Sequence, residues 1–152
     1  ISPFHLVSRI VQEQRADGSG IMNGYKYLDK TVYNLFNINV SGNVSTGILA
    51  GARYAYDRGW YTPEASIKGG AEFLTKNYIS KGQSTLYFQK YNVVNEKNLY
   101  GNQYMQNIRA ANDEGNMIYK SYKNSGILDS HFEFIVPLYE KMPTSACPRP
   151  KN

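Results

Sequence analysis

Fourteen of the 152 residues are tyrosine, against six phenylalanines and one tryptophan. This choice restricts the fold more than any other feature. A buried tyrosine needs a hydrogen-bond partner for its hydroxyl, so the chain cannot close a core of plain hydrocarbon. Many of the rings are expected to line a surface or a groove, where flat ligands or the apolar faces of sugar rings can stack. No internal disulfide can reinforce such a core. Cys147 is the single cysteine, which also rules out a Cys-based zinc cluster. With only His5 and His131 besides, neither a metal site nor a cofactor is expected. The length fits one domain, long enough to bury roughly 68–70% of its unfolded surface. No apolar run approaches the ~18 residues of a membrane span.

Seventeen Lys and Arg outnumber twelve Asp and Glu, giving a net charge of +5. The excess points to an anionic partner (nucleic acid, acidic membrane or acidic polymer) or simply to solubility. The basic residues are scattered, without the cluster that marks a nucleic-acid surface. The aromatic run Tyr87-Phe88-Gln89-Lys90-Tyr91 could stack bases, but core or groove lining explains it better.

Local patterns predict a mainly α (α+β) chain with a small β or loop lobe. Ser2-Pro3 reads as an N-cap followed by proline at the first helical position. The helix it opens runs to about Gln14, with Phe4, Val7 and Val11 on one stripe, continued by Leu6, Ile10 and Glu13. Turn residues crowd 15–24, and 21–40 reads as a loop or short hairpin. A second helix spans Val44 to Arg58, with Gly59 suited to its C-terminal left-handed position. Thr62-Pro63-Glu64 opens a third that ends before Gly82. Its Gly69-Gly70 pair costs about 1 kcal/mol per glycine relative to alanine, which points to close packing against another backbone. Segment 86–94 is ambiguous. A short helix is predicted over 103–108, a longer one over 113–123, and a short strand through Phe132, Phe134 and Val136. The segment 1–143 is read as one domain and 144–152 as a tail. The abrupt start at Ile1 suggests a processed or excised piece.

Among the acids, Asp57, Glu64, Asp113 and Glu114 read as ordinary helix-end residues, and Glu72, Glu96 and Glu140 as solvated. Glu13 differs. It sits at the edge of an apolar stripe where a helix meets a glycine-rich loop, and a half-desolvated carboxyl there stays protonated near neutral pH. The competing reading is a surface Arg9–Glu13 pair at i,i+4, worth a few tenths of a kcal/mol. Spacing alone leaves both open. His5 with Ser8 lacks a nucleophile elbow, and Cys147 lies in a proline-rich tail.

The run ISPFHLVSRIVQEQ (1–14) resembles the active-site helix of bacterial endo-β-N-acetylglucosaminidases, glycoside hydrolase family 73. Further segments match in order: YNLFNI (33–38), GWYTP (59–63), IKGGA (67–71), TLYFQKYNV (85–93), NQYMQNI (102–108) and PLYEKMP (137–143). The resemblance covers nearly the whole chain and is strongest to the autolysin branch. It implies a lysozyme-like fold, a helical lobe and a small β or loop lobe with a substrate groove between them. The implied reaction is hydrolysis of the β-1,4 GlcNAc–MurNAc bond of peptidoglycan. Glu13 then matches the family's general acid, and Tyr104 the tyrosine that positions the sugar or the attacking water. Tyr33, Asn34, Phe36, Asn37, Tyr91 and Gln103 are the implied groove residues. Asn102 stands where relatives often carry His. The family's usual domain also has helix upstream of this point.

Glycosidases typically use two carboxyl groups, about 5–5.5 Å apart for retention and about 6.5–9.5 Å for inversion. Asp29, in the loop lobe, is the candidate for a water-activating base. Alternatively the 2-acetamido group of the bound GlcNAc attacks its own anomeric carbon. A lytic transglycosylase forming 1,6-anhydro-MurNAc and a non-catalytic wall-binding module are the rival functions. The expected setting is a secreted monomer at the bacterial cell wall. Its partners would be glycan strands and anionic wall polymers, not nucleic acid.

Overall fold

The computed structural model describes residues 1–14, 21–41, 44–104 and 107–145. The turn-rich stretch 15–20 and Cys147 lie outside them. Helix α1 spans Pro3–Gln14, and the amide of Leu6 donates to the Ser2 carbonyl, as a helix opened by Ser-Pro requires. A two-stranded antiparallel hairpin follows. β1 (Tyr25–Tyr27) pairs with β2 (Lys30–Val32) in the register Tyr25↔Val32, Lys26↔Thr31, Tyr27↔Lys30. Helices α2 (Val44–Tyr56), α3 (Pro63–Asn77), α4 (Leu86–Tyr91) and α5 (Ala110–Asn124) complete the chain. Helices with a small sheet make up the lysozyme-like fold implied above.

Local chemistry sets the boundaries. Gly59 takes φ +69 beyond the end of α2, and the Trp60 amide donates back to the Ala55 carbonyl. Thr62 caps α3 by accepting from the Ala65 amide at 3.2 Å, with Pro63 at the first helical position. Thr85 caps α4 in the same way, and so turns the ambiguous 86–94 segment into a short helix.

The main core gathers Ile21, Val32, Leu35, Phe36, Ile38, Ala52, Ala55, Trp60, Leu74 and Tyr78. It joins the hairpin and the following loop to α2 and α3. The glycine pair of α3 serves this core differently from expectation. A Cβ on Gly69 would overlap the Trp60 indole, and one on Gly70 the Phe36 ring. The helix thus approaches two aromatic rings rather than another backbone.

Other expectations are corrected. No helix forms among the described residues of 103–108; Met105 and Gln106 lie outside them. The alternating Phe132, Phe134 and Val136 form no strand, because no other strand among the described residues lies alongside to pair with them. Phe132 instead stacks on Tyr122, with ring centroids 5.2 Å apart. The stripe of Phe4, Val7 and Val11 is exposed, and Leu6 and Ile10 are the α1 residues that pack on the core.

Candidate active site

Glu13 lies in the last turn of α1 and faces a cleft of about 450 Å³. The lining includes Phe36, Asn37, Phe73, Tyr78 and Tyr104, with the loop residues Asn39, Val40 and Ser41 along one side. The Tyr104 hydroxyl donates to Glu13 Oε1 at 3.0 Å. The Asn37 amide donates to the Glu13 carbonyl at 2.5 Å, satisfying one of the carbonyls that a helix end leaves open. Asn37 itself has φ +47, a left-handed conformation that asparagine tolerates better than most residues. Burial raises the Glu13 pKa, while the Tyr104 hydrogen bond and the Arg9 charge oppose the rise. The net shift is upward, toward the protonated state a general acid needs.

The surface pair that spacing allowed does not describe Arg9. This residue is 2% exposed, and its guanidinium donates to Glu114 Oε1 and Gln89 Oε1, both at 2.5 Å. It lies 3.8 Å from the centre of the Tyr104 ring. Tyr104 is held from two further sides: its amide donates to the Gln89 carbonyl at 2.8 Å, and its ring meets Tyr78 edge-on. Arg9, Tyr78, Gln89, Tyr104 and Glu114, from five parts of the chain, therefore form one linked cluster behind the Glu13 carboxyl, which the Tyr104 hydroxyl meets.

The structure divides the residues expected from sequence. Glu13, Tyr104, Phe36 and Asn37 come together at the cleft. Asn34 does not reach it. Its side chain is fully buried, bonded to both backbone groups of Ile38 and to the Gly51 carbonyl, so it braces a loop. Tyr33, Tyr91 and Gln103 are also outside the lining. The Tyr91 hydroxyl donates to the Ile108 carbonyl, and the Gln103 amide to the Tyr100 carbonyl. Asn102 bonds the Asn77 carbonyl and Gln83 Oε1, a scaffolding role. Asp29 sits on the hairpin turn, also outside the lining, where the Tyr56 hydroxyl donates to it at 2.9 Å and Lys30 lies 3.7 Å away. The Tyr56 hydrogen bond lowers its pKa, which weakens it as a base. Tyr27, Tyr54, Tyr56 and Tyr61 meet neighbouring rings edge-to-face around the core; of the fourteen tyrosines, Tyr78 and Tyr104 line the described cleft.

Sequence reasoning missed Arg9 and Glu114. Glu114 was read as a helix-end acid, but α5 starts at Ala110, which places Glu114 more than a turn inside. The spacing of Ala110, Glu114 and Met117 puts that acid on an apolar face, a signal the sequence did contain.

No family model matches the chain. It is 35% identical over 143 residues to a Bacillus subtilis (strain 168) beta-N-acetylglucosaminidase, covering 91% of this chain and 15% of that protein. It is 29% identical over 149 residues to a bifunctional autolysin of Staphylococcus epidermidis, covering 92% of this chain and 11% of the relative. Among solved structures, a catalytic mutant of S. aureus Autolysin E in complex with the disaccharide NAG-NAM superposes with a TM-score of 0.66. The identity is 30%, over 81% of this chain and 53% of that one. The chain thus spans a small part of its curated relatives and about half of its solved neighbour. Fold and cleft define a lysozyme-like glucosaminidase domain. Over most of its length the chain is similar to the glucosaminidases of bacterial autolysins, in keeping with its resemblance to family 73.

Proposed function

We propose that this chain is the catalytic domain of an endo-β-N-acetylglucosaminidase that hydrolyses the GlcNAc–MurNAc bond of peptidoglycan at the bacterial cell wall. The observation that carries this reading is Glu13, a carboxyl with a raised pKa held by Tyr104 on the wall of an open cleft. The similarity to glucosaminidases, one of them crystallised with NAG-NAM, supports the substrate class.

In this mechanism Glu13 protonates the departing glycosidic oxygen. The Tyr104 hydroxyl occupies Oε1 and leaves Oε2 to carry the proton. Glu13 is the single carboxylate among the described residues of the lining. The second group is therefore assigned to the substrate: the 2-acetamido oxygen of the GlcNAc closes on its own anomeric carbon as the bond to the leaving sugar breaks. Water then opens the cyclic intermediate, with Glu13 now accepting its proton. Asp29 is assigned to tethering the hairpin to α2 through Tyr56. Phe36, Phe73 and Tyr78 offer apolar surface for sugar faces, and Asn37 sets the end of α1.

Mass analysis of the ends released from purified peptidoglycan tests the reaction. Hydrolysis leaves a free GlcNAc reducing end. An anhydro end, lighter by one water, would identify a lytic transglycosylase, and no release at all a wall-binding module.

A further inference from the structure

The buried ion pair behind the cleft has no place in the scheme above. Arg9 and Glu114 are 2% and 1% exposed, and they meet across 105 positions of sequence. Such a pair is poor evidence of stabilisation. Removing two charges from water costs several kcal/mol per ion, and apolar replacements of similar volume are often neutral or better. This pair is also incompletely satisfied. Glu114 Oε2 and Gln89 Nε2 are buried without hydrogen bonds among the described residues, which is rare in folded proteins.

Its geometry points elsewhere. Glu114 and Gln89 each accept one arm of the Arg9 guanidinium, which fixes the plane of that group. The fixed plane lies over the Tyr104 ring, and the Tyr104 hydroxyl meets Glu13. Resting on the glucosaminidase reading above, we propose that Arg9 and Glu114 are positioning residues for the hydrolysis. Glu114 locks the guanidinium over Tyr104, sets the hydroxyl against Glu13, and offsets the positive charge that would otherwise strip the acid of its proton.

The electrostatics agree in sign. The Arg9 charge lowers the pKa of both Glu13 and Glu114, and the Glu13 charge raises that of Glu114. The other titratable groups around this cluster are Tyr104, Tyr78 at the end of α3, and His5 one turn before Arg9. From α4, Gln89 is neutral and Lys90 follows it, buried. The cleft side formed by 36–41 carries no charged side chain.

Glu114→Gln keeps the shape and removes the charge. The expected result is a fall in kcat of about 10- to 100-fold with KM nearly unchanged, as for a misplaced catalytic group. The alkaline limb of the kcat/KM profile moves to lower pH by about 0.5–1 unit, because Arg9 now acts on Glu13 unopposed. A folded variant with wild-type kcat and wild-type limb overturns the proposal. If Glu114→Gln does not fold, Arg9→Met with Glu114→Leu decides. A folded, slow double variant supports positioning. A folded and fully active one, or one that also fails to fold, contradicts it, because the pair would then be dispensable or purely structural. Glu13→Gln is assayed alongside. Wild-type activity there defeats the glucosaminidase mechanism itself, whereas an inactive Glu13→Gln beside an unaltered Glu114→Gln defeats only this inference.

Discussion

The Tyr104 hydroxyl donates to Glu13 Oε1 at 3.0 Å, yet burial still holds the Glu13 pKa above its ordinary value. The hydrogen bond favours the carboxylate and desolvation favours the acid. An acid balanced in this way can give a proton to a leaving oxygen and take one back from water.

Tyr104→Phe removes the hydroxyl and leaves the ring beneath Arg9 and against Tyr78. The loss falls on kcat, by about 10- to 100-fold, with KM changed little, because an orienting hydrogen bond acts mainly in the transition state. Steady-state turnover of soluble peptidoglycan fragments measures both constants. An unchanged kcat removes Tyr104 from the mechanism.

Asn34→Ala tests a reassignment. Asn34 bonds Ile38 N, Ile38 O and Gly51 O from a fully buried position. Its loss leaves buried backbone groups unpaired, at about 1–3 kcal/mol for each group not satisfied otherwise. Urea denaturation should show a large drop in stability, while the variant, assayed well below its melting temperature, keeps near-normal KM. A raised KM with normal stability would return Asn34 to the substrate groove.

Gly70→Ala places a methyl group into the Phe36 ring, which also lines the cleft. Overpacking of this kind costs about 1–3 kcal/mol. Both thermal stability and turnover should fall, because the displaced ring lines the proposed sugar site. A variant as stable as wild type would show that α3 can retreat from Phe36 freely.

The pH dependence of stability separates two buried groups. Burial, aided by the Arg9 charge, lowers the His5 pKa to about 4 from 6.5; the unfolded chain then takes up the proton first, so the His5 contribution is lost as pH falls from 6.5 to 4. Burial raises the Glu114 pKa to about 7 from 4.5, so its gradient runs the other way and stability is lost as pH rises through that range. The two oppose each other in the wild type. In His5→Leu the opposing gradient is gone, leaving that of Glu114 together with that of Glu13, whose pKa burial also raises, and the melting temperature falls as pH rises from 4.5 to 7. Parallel melting profiles for wild type and His5→Leu would contradict the assignment.

Local signals made much of this molecule legible. Ser2-Pro3, Gly59 and Thr62-Pro63 mark helix limits through backbone chemistry that needs no distant partner, and the structure obeys them. The apolar edge of α1 pointed to Glu13, and the family resemblance joined it to Tyr104. Features that depend on distant contacts were not legible. The alternation at 132–136 looks like a strand, but a strand needs a neighbour and the described residues supply none there. Arg9 and Glu114 lie 105 positions apart, and each alone resembles a common surface charge. Asn34 matched a groove motif in sequence, yet its neighbours fold over it and make it a brace.

Release of reducing ends from purified peptidoglycan by Glu13→Gln tests the central claim most directly. Gln keeps the size and the contact with Tyr104 but cannot donate a proton to the leaving oxygen. The account predicts that hydrolysis is abolished while the circular dichroism spectrum and binding to peptidoglycan match those of the wild type. Wild-type release by a folded Glu13→Gln would contradict it.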